Sequence, residues 1–160
     1  MFVARNHKGL LCNALEEKIE KGADFVCPAC SGAVRFKKGK VMQPHFAHVS
    51  LEECSFYREN ESAEHLNLKA ELFRWAVQTE EVEVEDFLPA LQQIADLLVD
   101  GKLALEVQCS PLSIERLQER TLSYRQHGYQ VRWLLGRKLW LKDSLTRLQK
   151  DFLYFSKNMG

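Results

Sequence analysis

Cys27-Pro-Ala-Cys30 and His45-Phe-Ala-His48 are separated by fourteen residues, and Cys54 lies six residues after His48. A soft dication wants four nitrogen or sulfur donors in a tetrahedron, and a Cys-x-x-Cys turn lets two thiolates reach one ion. Five candidate ligands within 28 residues therefore point to structural zinc. Cys27, Cys30 and Cys54 are the expected thiolates. His48 is the expected fourth ligand and His45 the alternate, because both imidazoles cannot join if Cys54 binds. A thioredoxin-like redox pair is the competing reading, but it needs a βαβ setting that the short strands around Cys27 lack. The region has few other large apolar side chains, so a metal is expected to replace a core. Five cysteines, an odd number, argue against disulfides, and Cys12 and Cys109 fall in apolar strand patterns as core residues.

The second constellation is acidic. Leu103-Ala-Leu-Glu-Val-Gln-Cys-Ser110 has a period of two, with Glu106, Gln108 and Ser110 on one face. Asp96 is embedded in Ile94-Ala-Asp-Leu-Leu-Val99, next to the hairpin signal Asp100-Gly101. Carboxylates inside a sheet are costly unless paired or metal-bound, so two on neighbouring strands make a divalent-metal site plausible. A two-residue turn puts Asp96 opposite Leu105, on the wrong face. A three-residue loop, Asp100 to Lys102, pairs Val99 with Leu103 and sets Asp96 against Glu106. The three-residue loop, or a bulge that restores this facing, is expected, with both acids converging on one pocket. Upstream, Glu61, His65 and Lys69 stand at i, i+4 and i+8 on one helical face. Taken alone, such a stripe is usually a solvated face. Downstream, Tyr124 shares the Ile114, Leu117 and Thr121 face and reads as core, while Arg120, with Arg116 and Arg125, could neutralise phosphates.

The elements that must position these groups follow from periodicity and punctuation. Short strands are predicted around Phe2–Arg5, Leu10–Ala14, Phe25–Val26, Ala33–Phe36 and Val41–Phe46, separated by glycines and prolines. Asn60 to Gln78 holds no Gly or Pro and carries two apolar stripes, Leu66, Ala70, Phe73, Val77 and Leu68, Leu72, Trp75, so the helix is expected to be buried on more than one side. Strands follow at Val82–Phe87, Ile94–Val99 and Leu103–Ser110. A helix capped by Ser113 ends at Gly128, a strand covers Tyr129–Leu135, and a last helix runs from Ser144 to about Lys157. The order is a small β-rich unit, then helix, three-stranded meander, helix, strand and helix: an α/β core over residues 57–160 behind an N-terminal segment, 1–56.

The chain has 160 residues, 46% of them hydrophobic, which suffices for a real core and excludes a disulfide scaffold. With 28% charged and 10% aromatic residues it is not a disordered chain. No apolar run approaches the ~20 residues that span a bilayer, and the start lacks a signal-peptide pattern, so a soluble cytoplasmic protein is expected. Net charge is zero, yet the thirds differ: +4 over residues 1–50, −10 over 51–100 and +6 over 101–160. An acidic middle between basic ends fits a polyanion binder that holds metal cations centrally, and equally fits chance segregation of solvated faces.

Met1-Phe-Val-Ala4, Phe25-Val-Cys-Pro-Ala-Cys30, Pro44-His-Phe-Ala-His48, Glu61-Ser62 with His65 and Lys69, Ala95-Asp-Leu-Leu98, Glu106-Val-Gln-Cys-Ser110, and Arg120 with Tyr124 together resemble the competence protein CoiA family. The resemblance runs in order through nearly the whole chain. It implies a restriction-endonuclease-like core of the PD-(D/E)XK type behind a zinc-binding segment, and a Mg²⁺- or Mn²⁺-dependent deoxyribonuclease acting in natural transformation. The DNA is expected to be single-stranded, with recombination proteins as possible partners and no small-molecule cofactor. Under the resemblance Asp96 and Glu106 match the metal-binding acids, together with the Val107 carbonyl. Glu61 matches an acid from the first core helix, Gln108 takes the usual lysine position, and His65, Lys69, Ser110, Arg120 and Tyr124 support them. Gln108 can orient a water but cannot act as a base or supply positive charge. A nucleic-acid-binding module with a degenerate site is the rival reading. Members of the family tend to continue further at the C-terminus, so the chain is expected to be a shorter version or a fragment.

Overall fold

The computed structural model describes residues 1–20, 22–50, 54, 56, 61–141 and 143–157, with side chains described to 153. The predicted boundary between about Cys54 and Asn60, and the start of the first helix at Asn60, lie largely outside the described residues. Among the described residues, two sheets and three α-helices form a mixed α/β structure.

The first sheet contains β1 (Val3–Asn6), β2 (Leu11–Asn13), β3 (Phe25–Val26), β4 (Ala33–Lys37) and β5 (His45–His48). Its order is β2-β1-β3-β4-β5, and every pairing is antiparallel. The last strand starts at His45, not Val41, because Pro44 cannot donate to the ladder and Val41 lies exposed beyond the Lys37–His45 pair. Contrary to expectation, this unit has an apolar core of its own. Phe25 and Phe36 both pack on Phe46, with ring centroids 4.9 and 5.5 Å away, alongside Met1, Val34 and Cys54.

The second part begins with α1 (Ala63–Ala76), whose N-cap Ser62 accepts the His65 amide through its hydroxyl at 3.2 Å. Three antiparallel strands follow, β6 (Val82–Leu88), β7 (Gln93–Val99) and β8 (Leu103–Gln108). Then α2 (Ile114–Gln126) crosses over to β9 (Gln130–Leu135), which pairs parallel to β8. A 3-10 turn at Arg137–Leu139 leads to α3 (Arg147–Lys157). That helix begins three residues later than predicted because the Thr146 hydroxyl, not Ser144, accepts the Gln149 amide. Gly128, at φ +83°, closes α2 by letting the Tyr129 amide reach back to the Tyr124 carbonyl at 3.0 Å.

Neighbouring strand residues show which helix covers which face. Leu97 and Leu105 pack with Leu66, Ala70 and Phe73 of α1, and with Phe2 and Val3 of the first sheet. Leu98 and Ala104 pack with Tyr124 of α2 and Val131 of β9. The two helices therefore cover opposite faces. The second stripe of α1 reaches the core only through Leu72, which packs half-buried against the Leu66, Ala70 and Phe73 cluster; Leu68 is half-buried and Trp75 is 71% exposed.

The hairpin loop is three residues long, with Val99 facing Leu103, as the register argument requires. Asp100 and Gly101 both adopt positive φ, and the Lys102 amide returns to the Val99 carbonyl. The β7–β8 ladder ends at Leu97–Leu105, one step short of Asp96 and Glu106. On the other side of β7 the alternation breaks. Glu85 has φ +54°, the left-handed region that a non-glycine residue enters at a cost of about 1–3 kcal/mol. Its carboxylate then shares the α1 side with its neighbour Val84, accepting the Phe2 and Val3 amides at 2.6 and 3.2 Å and the Lys69 ammonium at 2.6 Å. Removing this fully buried acid takes one of three counter-charges from the buried Lys69 ammonium and leaves two amides without their acceptor. Glu85→Ala should lower the unfolding free energy by about 3–5 kcal/mol in urea titrations, and Glu85→Gln by less; a loss below about 1 kcal/mol for the alanine variant contradicts this role.

Candidate functional site

In the first sheet, Cys27, Cys30, His48 and Cys54 each place a ligand atom within 4.8 Å of the others. Pairing of Val34 with His48 brings the imidazole alongside the Cys27–Cys30 turn, and Cys30 Sγ lies 3.5 Å from His48 Nε2. The Gly32 amide points at Cys30 Sγ from 3.3 Å, the N–H···S contact expected of a thiolate turn. His45 sits at the far end of the same strand, opposite Lys37, with Nδ1 2.8 Å from the Gln43 carbonyl. It is not in the cluster. Burial pushes the Cys27 thiol up to about 12. Zinc would have to displace that proton, which makes loading pH-dependent. The donor set fits zinc, and the described cysteines form no disulfide.

The second group lies where β7 and β8 part. Asp96 would face α2 if β7 alternated regularly. Instead its Oδ2 stands 3.1 Å from His65 Nε2 and accepts the Val107 amide at 2.8 Å, while Oδ1 lies 3.4 Å from Lys69 Nζ. Glu61, just ahead of the α1 cap, pairs with the Lys69 ammonium and the Met1 α-ammonium, and its Oε1 is 3.5 Å from His65 Nδ1. Glu61, His65 and Asp96 offer ligand atoms within 4.8 Å of one another.

Glu106 is held from the other face. Its Oε1 accepts Arg120 Nη2 at 2.7 Å and the Tyr124 hydroxyl at 2.5 Å, and its residue exposure is 2%. Tyr124 is thus both core and ligand to the acid. Arg120 also reaches the Ile94 carbonyl and stacks over Trp133 at 5.4 Å. The hairpin therefore brings Asp96 to α1 and Glu106 to α2, and Glu106 is not part of the Glu61, His65 and Asp96 group. Gln108 turns its amide onto the Ser110 carbonyl at 2.7 Å, and Ser110 is exposed.

The electrostatics separate the two acids. Burial would raise Asp96, but Lys69 and His65 overrule it and hold the group ionised, well below the usual range. Glu61 is lowered to about 2 against its own burial by Lys69 and Met1. Glu106 is pushed up to about 7 by burial, with a contribution from the Asp96 charge, against the pull of Arg120 and Tyr124. The two carboxylates thus sense each other across the fork. Burial disfavours a charge on His65, yet Asp96 raises it overall.

Lys69 is not a solvated residue: its side chain is fully buried between Glu61, Glu85 and Asp96. Sequence reasoning missed Glu85, because Val-Glu-Val-Glu alternation gives it the same signal as its solvent-facing neighbour Glu83. It also missed Glu64, whose carboxylate accepts the Arg137 amide at 2.7 Å and anchors the turn after β9, where Gly136 gives its amide to the Gln108 carbonyl.

A family model described as the competence protein CoiA nuclease-like domain matches residues 61–159, and one for the CoiA N-terminal domain matches residues 11–57. The chain belongs to the competence protein CoiA family. Over 130 residues it is 32% identical to the competence protein CoiA of Bacillus subtilis (strain 168), covering 79% of this chain and 35% of that protein. The chain thus spans about a third of the length of this relative. No solved structure matches. No helix among the described residues is long and apolar enough to cross a membrane.

Two measurements check the site. Purified chain should hold about one zinc per molecule by elemental analysis, falling to near zero in Cys27→Ala; equal zinc in both contradicts the cluster. Glu106, with its raised folded value, holds its proton more tightly when folded. Its contribution is complete below the ordinary carboxylate range and is lost as pH rises through about 7. Between about pH 5 and 8, unfolding free energy should fall more steeply in the wild type than in Glu106→Gln, and parallel slopes would show that Glu106 does not titrate there.

Proposed function

We propose that this chain is a metal-dependent nuclease unit of the CoiA family, hydrolysing phosphodiesters of incoming DNA during natural transformation. In this reading residues 57–160 form a restriction-endonuclease-like core of the PD-(D/E)XK type, and residues 1–56 a zinc-stabilised unit. The observation that carries it is the cluster of Glu61, His65 and Asp96 at the break in the β7–β8 ladder, with the raised Glu106 in electrostatic reach. A Mg²⁺ or Mn²⁺ ion taken up at Asp96, with Glu106 drawn towards it from the other face of the sheet, would supply Lewis-acid polarisation of a phosphate and a more acidic water. Asp96 is already ionised for that purpose. Glu106, raised to about 7, would have to lose its proton and its Arg120 contact before joining a dication, and a positive charge at Asp96 would favour that ionisation. Gln108 would orient water through its amide only on leaving the Ser110 carbonyl, and Arg120, once released, would face a phosphate. Single-stranded DNA in the cytoplasm, handed on to recombination proteins, is the proposed setting.

One observation favours the second reading, a DNA-binding module without turnover. The two acids are held by helices on opposite faces, and each is neutralised by a cation of the chain. Incubation with single- and double-stranded DNA, with and without Mg²⁺ or Mn²⁺, separates the two. The nuclease reading expects metal-dependent cleavage that falls at least ~100-fold in the Asp96→Ala, Glu106→Ala double variant. Salt-sensitive binding without cleavage in the wild type supports the binding module instead.

A further inference from the structure

The cluster beside the hairpin fork contains a nitrogen donor, and that bears on which cation it takes. Resting on the metal-dependent reading above, we propose that the His65 imidazole is itself a ligand of the divalent cation, together with Glu61 and Asp96, and that the site selects a transition dication such as Mn²⁺ over Mg²⁺.

Two observations carry this. The first is reach. The three donors lie within 4.8 Å of one another, close to the ~4.2 Å between opposite ligands of a six-coordinate ion with bonds of about 2.1 Å. Glu106, committed to Arg120 and Tyr124, is outside that set.

The second is placement. The side chains of Glu61, His65 and Asp96 are 10%, 21% and 14% exposed, so the group can be entered from solvent, whereas Lys69 behind it is sealed. The Ser62 cap fixes the backbone at His65, and the two ring nitrogens face Glu61 at 3.5 Å and Asp96 at 3.1 Å.

The chemistry of the donors then sets the preference. Mg²⁺ dehydrates reluctantly and takes oxygen ligands, while Mn²⁺ accepts carboxylates and stands higher in the affinity order for nitrogen. Three oxygens would leave the choice open. Two oxygens and an imidazole do not.

The test uses the full chain with zinc already loaded at the thiolate cluster, so that His48 is occupied. Mn²⁺ is titrated in, free ion is followed by electron paramagnetic resonance, and bound ion is examined for ¹⁴N modulation by electron spin echo. The expected result is bound Mn²⁺ with ¹⁴N modulation, displaced by Mg²⁺ only at about tenfold or greater excess. Both His65→Ala and His65→Asn should lose the modulation and weaken Mn²⁺ about tenfold or more, with zinc content and melting temperature kept. Absence of Mn²⁺ binding, bound Mn²⁺ without modulation, modulation that survives in either variant, or Mg²⁺ binding as tightly as Mn²⁺ in the wild type overturns the proposal. The outcomes also separate it from the nuclease reading. Modulation that depends on His65 in a chain that cleaves no DNA removes the nuclease reading alone. Mg²⁺-supported cleavage unchanged in His65→Asn removes this inference alone.

Discussion

A lysine ammonium with no exposure to water sits at the centre of this molecule, and most of the arrangement around it follows from the need to keep that charge company. Transferring such an ion out of water costs several kcal/mol even after relaxation, and only well-placed counter-charges repay it. Lys69 has three, from three different places: Glu61 ahead of α1, Glu85 on β6 and Asp96 on β7. Glu85 also accepts the amides of Phe2 and Val3, and Glu61 the α-ammonium of Met1. One buried cation thereby fixes the approach of the first sheet to the second and the height of α1 on its strands. A hydrophobic residue of similar volume could fill the space, but it could not specify which acids turn towards it.

That requirement explains the break in β6 and β7. Regular alternation would send Glu85 and Asp96 to the face opposite Val84 and Leu97. Both instead turn to α1, at the expense of a left-handed Glu85 backbone. Backbone distortion of about 1–3 kcal/mol is smaller than the penalty for leaving a buried ammonium with one partner instead of three. The loss of ladder beyond Leu97–Leu105 has the same origin, since the Asp96 carboxylate bonds the Val107 amide there. The fork that holds the candidate site is the consequence of an electrostatic demand made on the other side of the sheet.

Local signals in the sequence were enough for the element order and for the hairpin register, because Asp100-Gly101, the Ser62 and Ser113 caps and Gly128 act within a few residues of themselves. Strand pairing likewise explains why His48 and not His45 joins the thiols: their positions along β5 face Val34 and Lys37 respectively. The side on which Glu85 emerges was not legible. It depends on a positive φ at that glutamate, which no local pattern announces, and on amides more than eighty residues away in the chain; Asp96 likewise turns to partners on another element, His65 and Lys69 of α1. The Glu61, His65 and Lys69 stripe shows the same limit. Its spacing placed the three on one face, but whether that face meets water or a buried network was decided by β1, β6 and β7.

The two acids of the fork differ in what they would surrender to a cation, and this difference shapes the chemistry open to the site. Asp96 is ionised and bound to an imidazole and an ammonium, so it attracts a dication without first losing a proton. Glu106 is buried deeper, carries a value near 7 and relies on one guanidinium and one phenol. At neutral pH its ionisation is nearly balanced, and a positive charge arriving at Asp96 would remove the repulsion that helps to raise it. Loading of the first acid therefore favours ionisation of the second. The strand that carries Glu106 also carries Gln108, whose amide spends itself on the Ser110 carbonyl and adds no charge. Whatever acid–base asymmetry this fork possesses thus comes from the pair of carboxylates and His65, not from the position where a lysine would ordinarily stand.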